Sequence, residues 1–287
     1  MNEKITLSGV PETMLQTVYA RARESRGRGV IRDAKAEELV EKLDYDFSLA
    51  EKDTAMRSGV IARTIVLDRL TTAYLAGHPG AVVVNIACGL DTRCYRMTGY
   101  RHWYNLDLPE TMAMREKLLP ESGAVTQIAM SAMDDWGTEI AEKDAPVLVI
   151  LEGLTMYLNE ADIQQIFAVI AQRFPKVTVL AETMNPTMAR RFKEKSIEGS
   201  RAKFTFGVKD GRTFAALLPE TGLRRRHGEA DRALQGLSSA VLQLGQAMDG
   251  LLHGAAADPG DLSRVFRSAC EVSCRSCKRC AQCWQQD

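Results

Sequence analysis

The sequence predicts an α/β fold: a doubly wound, mostly parallel sheet with helices on its faces. Two observations lead there. Short, β-branched apolar runs recur along the middle of the chain, and the segments between them carry helical spacing, which together imply parallel βαβ units. The first run, Ala81-Val-Val-Val-Asn-Ile-Ala87, is apolar almost throughout and closes toward Gly89, so it reads as a strand buried on both faces. Segments 102–106, 125–130, 147–151 and 177–181 repeat the signal. Between the last two, Ile163, Ile166, Phe167, Ile170 and Phe174 recur at helical spacing, and Asn159 with Asp162 three residues later makes a capping pair.

The segment ahead of the sheet reads as helical. Ala36, Leu39, Val40 and Leu43 share one face, and Ile61, Ile65, Leu70 and Tyr74 form a second pattern stopped at Gly77. Beyond the sheet, 190–197 and 237–252 read as helices, with 222–226 and 264–272 as closing strands. The expected organisation is a helical cover over 1–79, a ligand-binding core over 80–185, substrate-side helices and closing strands over 186–272, and a cysteine-rich tail over 273–287.

Composition narrows the function. In 287 residues, 37 basic and 37 acidic side chains cancel, which counts against a nucleic-acid footprint or a membrane-surface patch, both of which need excess positive charge. The apolar runs are far shorter than the roughly 18 residues that span a bilayer, and Met1-Asn-Glu-Lys4 lacks signal-peptide form. A soluble, cytoplasmic protein without membrane or nucleic-acid partners is expected. Seven cysteines, an odd number, argue against a disulfide framework. Five of them, Cys270, Cys274, Cys277, Cys280 and Cys283, crowd the end of the chain. Their thiolates are candidates for zinc or an iron-sulfur cluster, although zinc sites usually join two separated pairs; a reduced appendage is the alternative, and no metal ligand is assigned.

In an open parallel sheet, ligands lie beyond the carboxyl ends of the strands. The first such end reads Asn85-Ile-Ala-Cys-Gly-Leu-Asp-Thr-Arg93, and Asp107 follows Gly89 by eighteen residues at the end of the second strand. A glycine there admits close backbone approach, and a carboxylate at that place binds the two hydroxyls of a ribose. A dinucleotide fold wants three glycines where this chain has one, so a nucleoside without phosphates is the better ligand, and S-adenosylmethionine fits. Asp107 has a rival role as a cap for the helix that Pro109 opens. The fourth strand ends in Glu152-Gly-Leu-Thr-Met-Tyr-Leu158, where Glu152 suits the ammonium of a methionine moiety and Tyr157 suits a sulfonium, or else serves as a hydrogen-bonded core ring.

Several segments resemble the leucine carboxyl methyltransferase family, whose bacterial relatives include polyketide O-methyltransferases of the tetracenomycin type. They are Pro11-Glu-Thr13, Tyr19-Ala-Arg-Ala-Arg-Glu24, Ile61-Ala-Arg-Thr-Ile-Val-Leu-Asp68, Val84-Asn-Ile-Ala-Cys-Gly-Leu-Asp-Thr-Arg93, Leu106-Asp-Leu-Pro109 and Glu152-Gly-Leu-Thr-Met-Tyr-Leu158. The resemblance covers about residues 8–225 and implies a class I methyltransferase fold, with helical cover and substrate-side insertion, using S-adenosylmethionine. It assigns Arg63 to the cofactor carboxylate, joined by Arg21 or Arg23, Gly89 to backbone approach, Asp107 to the ribose and Glu152 to the methionine end. Where the family's eukaryotic members place an acidic residue against adenine, this chain has Ser131, leaving adenine to the Ser131 hydroxyl, the backbone about Ala132 and Asp134, which has an equal claim to a structural role.

Methyl transfer from a sulfonium is an in-line displacement, so the protein's task is alignment and exclusion of water. A carboxylate acceptor needs no base and a hydroxyl acceptor does. His78, His102, His227 and His253 lie in no recognised motif, which favours a carboxylate without deciding the matter. Arg93 and Arg96 either bind an anionic acceptor or hold the loop by ion pairing, and Arg224-Arg-Arg226 reads as a solvated face. The expected activity is O-methylation of a small molecule. Metal binding by the tail and modification of RNA, known in one wing of the family, are the alternatives.

Overall fold

The protein is described by a computed structural model over residues 3–4, 10–27, 29–142, 144–174, 177–191 and 204–217. Five strands form one wholly parallel sheet: β3 (Val82–Ile86), β4 (His102–Asp107), β5 (Val125–Ala129), β6 (Val147–Leu151) and β7 (Val177–Ala181). Their order is β5-β4-β3-β6-β7, so the chain steps outward from β3, then returns to place β6 on its other side. That reversal is the topological switch of a doubly wound, Rossmann-like sheet, and it opens a crevice between the loops that follow β3 and β6. A separate two-residue pairing joins β1 (Glu3–Lys4) to β2 (Leu43–Asp44).

Both faces of the sheet are covered, which is why its central strands read as unbroken apolar runs rather than alternating ones. Val82, Val84 and Ile86 of β3 and Val147, Val149 and Leu151 of β6 turn to one side. There they meet α7 (Glu160–Arg173) through Ile163, Ile166, Phe167 and Ile170, with Trp136 beside them. The intervening residues Val83, Leu148 and Ile150 turn the other way, toward Leu67 and Leu75 of α4 (Thr54–Gly77) and toward Trp103. α7 begins where the sequence predicts: Asn159 accepts from the Asp162 amide and Asp162 from that of Asn159, a complete capping box.

The N-terminal segment folds as α1 (Val10–Arg26), α2 (Ala34–Lys42), α3 (Ser48–Lys52) and the long α4. Leu15, Val18 and Ala22 of α1 pack with Ala36 and Leu39 of α2 and against Leu90, in the loop after β3. The helical cover therefore rests on the very loop the ligand reading singles out. A short α5 (Arg93–Arg96) follows that loop, and α6 (Pro109–Leu118) follows β4 with Pro109 at its first turn. Leu108 stands at the cap position of α6, so the alternative placing Asp107 there is not what forms, although Asp107 does accept from the Leu108 amide at 2.8 Å.

Past β7 come α8 (Pro186–Arg191) and α9 (Gly211–Leu217). The segment from Phe204 crosses back over the strand ends, with Thr205 donating to the Met156 carbonyl and Val208 to that of Met184, each at 2.8 Å. A Cβ on Gly207 would lie 2.9 Å from the Pro186 backbone, so only glycine lets this crossing sit so close. Of the expected C-terminal elements, 237–252, 222–226 and 264–272 lie outside the described residues, as do all but the first two of 190–197. The five tail cysteines lie outside them as well, while Cys88 and Cys94 are free and buried. No described helix is long and apolar enough to cross a membrane.

Candidate active site

The loop after β3 turns immediately. Ala87 takes φ +52° and Gly89 φ +47°, both in the left-handed region that side chains resist. At Gly89 an added Cβ would also lie 2.5 Å from the Met14 sulfur of α1, so a larger residue would have to displace that side chain. The Gly89 amide donates to Asp107 Oδ2 at 2.8 Å, so the glycine and the carboxylate that the sequence pairs by spacing are joined directly. Burial pushes the Asp107 carboxyl above its usual range, against the pull of the Gly89 and Leu108 amides and the Arg115 charge.

On the far side of the crevice Glu152 leaves β6 between two cations. Arg63 Nε of α4 lies 2.9 Å from its Oε1, and Arg93 Nη1 lies 2.8 Å from its Oε2. Asp91 continues the series at 2.7 Å from Arg93 Nη1, and is itself held by Asn85 Nδ2 at 2.8 Å. Burial alone would raise both carboxyls, but Arg93, joined by Arg96 at Asp91 and by Arg63 at Glu152, holds them below their usual range. The result is an array of alternating charge, Arg63–Glu152–Arg93–Asp91, that joins α4 to the loops after β3 and β6. Such an array suits the zwitterionic end of an amino acid, whose carboxylate and ammonium each meet an opposite charge without adding net charge.

A second carboxylate, missed in the sequence, completes the Arg63 environment. Glu182 follows β7 as Glu152 follows β6, and Leu151 pairs with Ala181 across the two strands, which sets the carboxylates side by side. Glu182 Oε2 accepts the Gly153 amide at 2.7 Å and lies 3.3 Å from Arg63 Nη1. The signal that exposes Glu152, a carboxylate directly after a buried strand, was equally present here.

The profile of leucine carboxyl methyltransferases matches residues 14–171, more than half of the chain and all of the site just described except Glu182. The tetracenomycin polyketide synthesis O-methyltransferase TcmP of Streptomyces glaucescens is 36% identical over 229 residues, covering 78% of this chain and 84% of that protein. This chain belongs to the leucine carboxyl methyltransferase family. A second relative, the S-adenosyl-L-methionine-dependent methyltransferase dpfgK of Gibberella zeae, is 27% identical over 78% of this chain and 83% of its own length. Among solved structures, magnesium protoporphyrin IX methyltransferase from Synechocystis PCC 6803 with bound SAH aligns over 69% of this chain and 87% of its own, at 11% identity and a TM-score of 0.39. The strand order, not that distant likeness, defines the fold.

In this member of the family the remaining expected residues fall into two places. The Met130 amide donates to the Asp107 carbonyl at 3.0 Å, so the turn 131–134 sits beside Asp107 at the sheet's edge. Within it Ser131 Oγ accepts from the Met133 amide at 3.2 Å, Asp134 Oδ2 accepts from the Ser131 amide at 3.1 Å, and the Ala132 carbonyl accepts from Trp136. All three thus shape their own turn. Exposed Leu108 and Met133 flank it as apolar surfaces that the sequence reading passed over. Tyr157 ends the loop after β6, half-buried, its ring 5.3 Å from that of Phe204 on the crossing segment.

Ion pairing settles the arginines. Arg93 and Arg96 both bind Asp68, at 2.6 and 2.8 Å, so they hold the loop rather than reach outward. Arg63 is an ion-pair partner of Glu152 and Glu182. Of Arg21 and Arg23, the buried Arg21 turns inward, bridging Asp33 and the Leu90 carbonyl at 2.9 Å each, while Arg23 pairs with Glu51 at the surface.

Proposed function

We propose that this S-adenosylmethionine-dependent methyltransferase acts on an oxygen of a small-molecule acceptor held between the crevice and the 204–217 crossing. The observation that carries the reading is the alternating array Arg63–Glu152–Arg93 at the end of β6 together with the Gly89–Asp107 pair at the ends of β3 and β4, where the strand order switches. The donor set fits the cofactor: Arg63 for its carboxylate, Glu152 for its ammonium, Asp107 for the ribose hydroxyls, and the 131–134 turn with Ser131, Ala132 and Asp134 for adenine. When bound, S-adenosylmethionine supplies a methyl group activated by the neighbouring sulfonium.

The chain's own work is then positional. Arg63 and Glu152, held by their neighbours, fix the amino-acid end, so the reacting carbon is presented along one line. The Tyr157 ring offers an aromatic face to positive charge on the acceptor side and, with Phe204, excludes water and stacks a flat acceptor. Asp91 and Glu152 are held ionised by arginines and are weak bases, so the site favours a carboxylate acceptor or an acidic phenol. The relative named as a polyketide synthesis O-methyltransferase supports transfer to an oxygen of a small molecule.

Two measurements test the reading. Calorimetry should show S-adenosylhomocysteine binding and no binding of nicotinamide dinucleotide; the reverse pattern rejects the cofactor site. Transfer of labelled methyl should reach simple phenols and aromatic carboxylic acids, and labelling confined to transfer RNA or to a peptide carboxyl terminus rejects the small-molecule acceptor.

A further inference from the structure

We infer that the buried Arg115–Glu121 ion pair positions the cofactor loop by holding the Gly89 carbonyl, making Arg115 a positioning residue for the site proposed above, on whose cofactor assignment this inference rests. Arg115 of α6 and Glu121 are shut away from solvent, with side chains 0% and 1% exposed. Burying two charges costs several kcal/mol in desolvation, and apolar replacements of such pairs are often no less stable. Stability is thus a poor reason for the pair, and what it touches is the better guide.

Arg115 Nε and Nη2 go to Glu121, and Nη1 donates to the Gly89 carbonyl at 2.8 Å. Glu121 is itself fixed from the sheet, accepting from Asn105 of β4 and Gln127 of β5 at 3.0 Å. Two strands therefore aim one guanidinium at one backbone oxygen. Gly89 is gripped at both ends, its amide by Asp107 and its carbonyl by Arg115, and Arg21 takes the next carbonyl, Leu90. The Cys88 thiol also donates to the Gly89 carbonyl, at a long 3.8 Å. In the left-handed conformation at Gly89, rotation of the 89–90 peptide would be the easiest way for the loop to relax, and the Arg115 bond opposes that rotation. Lysine keeps the charge toward Glu121 but lacks the planar fork that serves both partners.

The test compares two variants of the full chain. Arg115→Lys removes the grip on Gly89, whereas Ile170→Val thins the apolar core under α7, away from this network. S-adenosylhomocysteine affinity by calorimetry and melting without ligand are measured for both. We expect Arg115→Lys to lose about tenfold in affinity, the worth of one charge-assisted hydrogen bond, and Ile170→Val to melt lower with affinity within about twofold of the parent. Parental affinity in Arg115→Lys overturns the inference, and so do affinity losses that follow melting temperature equally in both. Should Arg115→Lys fail to fold, Glu121→Gln, which leaves Arg115 poorly aimed, is expected to weaken binding several-fold, and unchanged affinity there overturns the inference too. If the parent protein itself binds no S-adenosylhomocysteine, the cofactor assignment has failed; if it binds and Arg115→Lys binds equally, only the positioning role has.

Discussion

At Asp107 two backbone amides and a buried setting pull in opposite directions. The amides of Gly89 and Leu108 favour the charged carboxylate, burial disfavours it, and burial wins, leaving its pKa above the usual 3.8. Only the charged form accepts fully from ribose hydroxyls. Affinity for S-adenosylhomocysteine should therefore fall as pH drops through that raised value, and Asp107→Ala should abolish the dependence while weakening binding about 10- to 150-fold near neutrality. Calorimetry across pH checks both, and a folded variant with parental affinity would return Asp107 to a purely structural role. Ala87 offers a second residue-scale test. With φ +52° it holds a conformation that costs an L-residue about 1–2 kcal/mol and glycine almost nothing. Ala87→Gly should raise stability by up to about 1 kcal/mol after the larger entropy of the unfolded glycine chain is deducted, and urea unfolding gives the sign directly. A lower midpoint would mean that packing of the methyl group outweighs the backbone strain.

Among the elements, α7 is the one whose start and face were both legible beforehand, because capping and periodicity are local. Its buried Ile163, Ile166, Phe167 and Ile170 lie on the sheet, while its cap makes no contact with Gly89, Asp107 or Glu152. Asn159→Ala should cost about 1 kcal/mol, lowering the melting temperature by about 2–4 °C with S-adenosylhomocysteine affinity unchanged. An affinity loss would show that α7 transmits order to the 152–158 loop at its own start. The five strands of the main sheet were also legible, to within a residue at their ends, since short apolar runs between helical segments have few other uses, whereas the β1–β2 pairing was not, and Leu43, expected on a helix face, lies in β2. α1 was not. It is a helix whose apolar residues Leu15, Val18 and Ala22 are interleaved with arginines, and the burial of Arg21 depends on partners in α2 and in the loop after β3.

Across the whole molecule, charges with no net excess are sorted into buried networks, and this governs the response to acid. Asp33, Asp91 and Glu152 all have lowered values, because the arginines around them outweigh the cost of burial. A carboxylate whose folded value is depressed contributes stability above its unfolded value, 3.8 for aspartate and 4.5 for glutamate here, and that contribution disappears as pH falls through the folded value. Asp107 has the opposite sign and offsets only part of the three. The urea midpoint should thus stay level from pH 7 to about 5 and fall steeply below about 4. A midpoint that rose on acidification would show that repulsion or desolvation, not pairing, dominates these sites.

Local signals in the sequence determined the strands, the capped helix after β6, the spacing of Gly89 and Asp107 and the exit of Glu152 from a buried strand, because each depends on residues a few positions apart or on one strand end. The tertiary structure alone decided the partners. Asp68 turns to Arg93 and Arg96, Glu182 reaches Arg63 across 119 positions, and Ser131 and Asp134 spend their side chains on their own turn. Which cation meets which carboxylate depends on the order of strands and the lean of α4 against them, and charge alone does not encode it. The same is true of Arg115: on the sequence it is one arginine of a polar helix, and only the closure of α6 over β4 and β5 brings it to the Gly89 carbonyl.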